Sequence, residues 1–173
     1  MELSMYFVIF EEQLILVCFI LEEQEMIGYA DAGYLLDPHK VRSQTGYVFT
    51  CGGTTISWCL QKQTLIATSN HAEVIALHEA SRECVWLRSV TQHIQATCGL
   101  PVNRDPTVLF EDNVVCVIQM KEEFIKSDRT KYIPPKFFSF SQELEMDKKI
   151  NINTFDPVIM QQIFLQRHFP LQL

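Results

Sequence analysis

The sequence predicts an α/β domain built around a mixed β-sheet, and three observations carry that expectation. Short β-branched or aromatic runs at Ile27–Tyr34, Tyr47–Cys51, Thr54–Cys59 and Thr107–Phe110 read as strands. The stretch His71–His93 contains neither Pro nor Gly and places Ala72, Ile75, Ala76, Ala80, Cys84, Leu87 and Val90 at helical spacing. The order strand, hairpin, helix, strand, helix, helix, strand then suits a sheet that opens on an antiparallel pair and carries helices on its faces.

Each element has a local reason. Ile27–Tyr34 (IGYADAGY) is a short strand with a single acid, Asp31, at its middle. Leu35–Thr45 is polar, contains Asp37-Pro38 and Ser43-Gln44-Thr45, and reads as a loop. Gly52-Gly53 between two β-rich runs marks a tight hairpin. Ser69 or Asn70 can cap the long helix, in which Cys84 is a core residue. The TVLF strand runs into Glu111-Asp112-Asn113, and Val114–Met120 follows as a short helix. Lys126, Arg129 and Lys131 form a short basic patch of the kind that is ordinarily solvated. Pro134-Pro135 precedes a second amphipathic helix at Lys136–Met146, and Ile150–Asn153 begins a last strand. Trp58 and Trp86 are assigned to the core.

Composition bounds the function classes. A chain of 173 residues with 47% hydrophobic and 20% charged residues is long enough for one packed core and is not a disordered segment. Its formal net charge of −7 offers no general basic surface for a polyanion, although a metal-dependent nuclease needs only local carboxylates. The six cysteines form no C-x-x-C pair, which points to reduced thiols and away from a zinc site or disulfide framework. The apolar run Leu14–Leu21 falls well short of the ~20 residues of a membrane helix and lacks the flanks of a signal peptide, so no membrane partner is expected.

Three acids stand in positions that call for a partner. Asp31 lies inside a strand, Glu73 in the first turn of the long helix, and Asp112 directly after TVLF. A carboxylate among apolar residues is costly unless something compensates it. Magnesium is suited to that role, since it takes oxygen ligands and is held by few carboxylates plus water and phosphate. The plain alternative is three unrelated acids in caps and turns.

The words around these acids resemble the ribonuclease H domain of copia-type retrotransposon polyproteins. GYADAGYLLDPHKVRSQTGYVFTCGGTTISW is similar to the family's opening, with its G-Y-x-D-A, R-S-x-[ST]-G-Y and G-G-x-x-I-S-W words. TSNHAEVIALHEASRECVWLR resembles the helix that carries A-E and W-L-R. LFEDNVVCVIQMKEEFIKSDRTKYIPPKFFSFSQELE resembles the D-N strand end, the S-R-T-K-H-like box and the P-K-F-F helix of a plant-type subgroup. The resemblance implies a ribonuclease H-like mixed five-stranded sheet and a site that cleaves the RNA strand of an RNA–DNA hybrid with Mg2+ or Mn2+. Asp31, Glu73 and Asp112 match three of its four metal-binding, catalytic carboxylates. Ser69, Asn70, His71, Asn113, Arg129 and Lys131 fall where substrate contacts are expected, although a histidine at a helix start ordinarily faces solvent.

The pattern breaks at the ends. No counterpart of the family's A-D-[LI]-F-T-K box, which carries the fourth acid, follows Asn153, and Tyr132 stands where the family commonly has His. Synonymous codons for Asp156–Leu173 exist that, read one base earlier, spell that missing segment with its aspartate. A matching shift in Met1–Gln24 spells the connection that precedes the domain in these polyproteins. The organisation expected is therefore an out-of-frame or degenerate leader at 1–25, a ribonuclease H-like domain at 26–153 and an out-of-frame tail at 154–173. Genomic codons incompatible with those frames would remove the expectation. Two functions follow: a metal-dependent nuclease weakened by the lost acid, or a catalytically silent remnant or host-adapted binding protein.

Overall fold

The computed structural model describes residues 25–37, 42–62, 69–121 and 134–155. The flanks assigned to altered frames lie almost entirely outside these residues, as do the basic patch and Tyr132. Strands β1 (Met26–Asp37), β2 (Arg42–Cys51), β3 (Thr54–Lys62), β4 (Thr107–Glu111) and β5 (Ile150–Thr154) form one sheet in the order β3-β2-β1-β4-β5. β1, β2 and β3 form an antiparallel meander, while β4 runs parallel to both β1 and β5. Helices α1 (Ser69–Thr97), α2 (Val114–Lys121) and α3 (Lys136–Met146) complete the described elements. The mixed α/β sheet is the one the sequence predicts.

Element edges differ from expectation, each for a physical reason. The loop expected over Leu35–Thr45 is largely strand: β1 continues to Asp37, β2 begins at Arg42, and Asp37 pairs with Arg42. Polar residues are weak strand formers alone, but here each strand supplies the other's backbone hydrogen bonds. Ser43 and Thr45 are buried in consequence. At the other end of β2, Gly52 and Gly53 have φ of 54° and 73°, the left-handed pair that a two-residue hairpin demands. α1 runs past His93 to Thr97, where Gly99 at φ 70° ends it. Leu100 N–H donates to the Gln95 carbonyl at 2.8 Å and Gly99 N–H to Ala96 at 3.3 Å, a Schellman stop.

The core lies between the sheet and the helices. Val74, Leu77, Ala80, Cys84 and Leu87 of α1 meet Phe49 and Leu109 from the sheet, and Phe138 and Leu144 of α3 close the layer. Trp58 and Trp86 do not join it; they are 60% and 58% exposed. Hydrophobicity alone does not choose a face. Trp86 is one residue, roughly 100° of helix, from the buried Leu87. Trp58 alternates with Ser57, whose hydroxyl donates to Glu83 of α1 at 2.6 Å, and so points away from that helix.

Gly28 marks a close approach. A Cβ there would lie 2.5 Å from Phe49 Cε1 and 2.7 Å from Leu109 Cδ1. Gly28→Ala is expected to cost about 1–3 kcal/mol by overpacking, read as a lower midpoint in thermal unfolding.

Candidate metal centre

Packing brings the acids together from three segments. Ala32 of β1 and Ala72 and Ala76 of α1 form their own small buried cluster. Side chains this small let the first turn of α1 lie close against β1, which carries Glu73 to Asp31. Asp112 arrives from the neighbouring strand: β4 pairs in parallel with β1 and ends at Glu111, where Ala30 faces it.

One carboxylate oxygen from each of Asp31, Glu73 and Asp112 lies within 4.8 Å of the others. Glu73 is buried and the other two are half-buried. Burial pushes the Asp31 carboxyl above its usual range, the charge of Asp112 pushes it further, and the Ala32 N–H draws it back. Glu73 is pushed up to about 8, first by burial and then by Asp112 and Asp31, against the opposing hydrogen bonds of Ala32 and Glu111. Glu73 Oε2 and Asp112 Oδ1 are buried and accept no hydrogen bond. No lysine or arginine among the described residues forms an ion pair with this group. Hard oxygen donors with unfilled lone pairs, crowded and uncompensated, suit a small divalent cation.

These shifts give apo stability a signed pH dependence. The folded chain binds more protons than the unfolded chain wherever an acid's pKa is raised on folding. The contribution of Glu73 to stability is therefore expected to fall as pH rises from about 4.5, its ordinary value, to about 8, its folded value. Thermal unfolding of the metal-free chain across that window, set against Glu73→Gln so that the opposing contribution of the lowered His71 and His78 cancels, checks it; the same pH dependence in both would overturn the electrostatic description of the cluster.

The flanking residues divide. Asn70 Nδ2 donates to Gln119 Oε1 of α2 at 3.0 Å, which ties the start of α1 to the last turn of α2. His71 is buried, not solvent-facing, because the helix start is folded against β1; burial pushes its pKa down and favours neutral imidazole. Asn113 Oδ1 accepts from Cys116 N–H at 3.1 Å and so caps α2. Ser69 is the first residue of α1, and Arg129 and Lys131 lie outside the described residues.

Sequence reasoning missed Glu111, treated there only as a neighbour of Asp112. It is fully buried, and its Oε1 accepts the Asn113 N–H at 3.3 Å. The clue was available. Thr107, Leu109 and Glu111 continue a strand alternation that places the acid, not only the two residues before it, on the inner face.

Comparisons with known proteins agree with this architecture. No protein-family model matches the chain. The retrovirus-related Pol polyprotein from transposon TNT 1-94 of Nicotiana tabacum is 28% identical over 137 residues, 79% of this chain and 10% of that protein. Secreted RxLR effector protein 161 of Plasmopara viticola is 41% identical over 64 residues, 36% of this chain and 45% of that protein. The chain thus spans less than half of either relative. Among solved structures, the N-terminal ribonuclease H domain of rv2228c from Mycobacterium tuberculosis aligns with TM-score 0.54 at 18% identity, covering 79% of this chain and 85% of that one. Ribonuclease H1 from Halobacterium salinarum aligns with TM-score 0.52 at 18% identity, covering 78% and 88%. The chain has a ribonuclease H-like fold, and over most of its length it is similar to part of the retrovirus-related Pol polyprotein from transposon TNT 1-94.

Proposed function

We propose that this domain binds two divalent cations, Mg2+ or Mn2+, and hydrolyses the RNA strand of an RNA–DNA hybrid at a reduced rate. The observation that carries the reading is the convergence of Asp31, Glu73 and Asp112 to within 4.8 Å, with no lysine or arginine among the described residues paired to them. Asp31 of β1, Glu73 of α1 and Asp112 at the end of β4 would hold the ions. The ions, when bound, would stabilise the attacking and leaving oxygens of an in-line displacement. Asn70 and His71 at the start of α1 and Asn113 at the start of α2 border the carboxylates, and with Ser69, Arg129 and Lys131 they make the proposed substrate contacts. The hybrid would be recognised by its A-like form and 2′-hydroxyls, which demand shape and local contacts more than a basic surface. The reduced rate follows from the sequence after Asn153, which offers no counterpart of the family's fourth acid. That same absence favours the second reading, a domain that binds without cleaving.

Cleavage of a labelled RNA–DNA hybrid by purified chain, with Mg2+ or Mn2+ and with Asp31→Asn as control, tests the proposal. Metal-dependent cleavage that disappears in the variant supports it. No cleavage from chain shown to be folded leaves the binding domain.

A further inference from the structure

We propose that Glu111 is a positioning residue of the metal centre, holding the carboxylates of Glu73 and Asp112 in the orientation that receives a cation. The inference rests on the assignment of Asp31, Glu73 and Asp112 as ligands, and it concerns a residue outside that set.

Glu111 is held by its surroundings on every side. It ends β4, an interior strand, and its backbone pairs with Ala30 of β1 and with Thr154 of β5. The side chain is 0% exposed and lies on the helix-facing side with Thr107 and Leu109. Packing alone gives no reason for an acid there, since Leu109 fills the same layer two residues earlier. An apolar side chain at 111 would avoid the desolvation that a buried carboxyl incurs.

What the carboxyl touches supplies the reason. Burial pushes its carboxyl well above the usual range, and the nearby charges of Glu73 and Asp112, which come from different elements, push it further. Its Oε1 accepts the Asn113 N–H at 3.3 Å, while Oε2 is buried without a hydrogen-bond partner. Asn113 in turn caps α2 through Cys116, and α2 reaches back to the first turn of α1 through Gln119 and Asn70. Glu111 therefore connects to the first turn of α1, which carries Glu73, through Asn113, α2 and the Gln119–Asn70 hydrogen bond. Removing it would free the turn that carries Asp112 and loosen the link from that turn through α2 to the start of α1. A ligand's supporting partner of this kind typically governs metal affinity by roughly 10–100-fold.

The test uses the full chain, Mn2+ alone as probe, and two readouts, calorimetric affinity and the unfolding midpoint of the metal-free protein. Glu111→Leu is expected to raise the metal-free midpoint and yet to weaken Mn2+ binding about 10-fold or more. A purely structural residue would not move those two quantities in opposite directions. Glu111→Asp keeps the charge but withdraws the carboxyl by one methylene. It is expected to weaken binding as well, and it carries the test if the leucine variant does not fold. Glu111→Gln can accept from Asn113 and donate to Glu73, and is expected to keep affinity within about 3-fold. Wild-type affinity in the leucine or aspartate variant overturns the role. So does an equal loss in Glu111→Gln, because charge and not position would then be the cause. Folded wild-type chain that binds no Mn2+ overturns the metal centre itself and this role with it, a result distinct from the other two.

Discussion

Asp31→Asn is expected to weaken Mn2+ binding by roughly 100-fold or more, because even residues behind a ligand govern affinity by 10–100-fold. Asparagine keeps the shape and one carbonyl oxygen but removes the charge that a hard cation needs. The same change relieves repulsion, since Asp31, Glu73 and Asp112 crowd one another in the absence of metal. Two opposed effects follow, and unfolding midpoints with and without Mn2+ separate them. At a metal concentration 100 times its dissociation constant, wild type gains about 2.7 kcal/mol from binding. With affinity reduced 100-fold, the variant gains only about 0.4 kcal/mol at that concentration. The metal-free variant is expected to melt slightly above wild type. An undiminished metal-induced shift in Asp31→Asn would sink the assignment of Asp31 as a ligand, and hybrid cleavage would then need another centre.

Phe49→Ala carries the largest expected effect on stability, about 3–5 kcal/mol. Phe49 is 0% exposed, lies over the bare backbone of Gly28, and meets the Tyr47 ring edge-on at 5.9 Å between centroids. Its neighbours belong to three strands, so the surrounding sheet has little freedom to close the cavity. Against a total of about 5–15 kcal/mol for a domain of this size, the loss is severe. Chemical denaturation should show a much lower midpoint at an unchanged slope. Trp58→Ala makes a useful contrast. Although tryptophan is larger, its 60% exposure predicts a change within about 0.5 kcal/mol. Equal losses in the two variants would contradict the assignment of faces in β2 and β3.

Local chemistry settled most of the elements before any packing was known. Gly52-Gly53 announces the β2–β3 turn because only glycine takes both left-handed positions cheaply. The Ala72–Leu87 periodicity announces α1, and Pro134-Pro135 announces the start of α3. Gly99 and Pro101 mark the end of α1 in the sequence too, but the apolar stripe thins near His93, so periodicity alone stops short of the polar last turn. The three acids could be named from their words alone, though their spacing in sequence is no measure of their spacing in space.

The sequence by itself determined the order of elements, the α/β class and which three carboxylates to watch. Only the tertiary structure decided that β1 and β2 extend through a polar stretch, that Trp58 and Trp86 face outward, and that His71 and Glu111 face inward. It also brought Asp31, Glu73 and Asp112 to one point. The physical reason is the range of the forces involved. Turn chemistry and side-chain periodicity act within a few residues and can be read along the chain. Strand pairing, the choice of buried face and the approach of α1 over Ala32 depend on partners far away in sequence. Their outcome exists only once the sheet has closed around them.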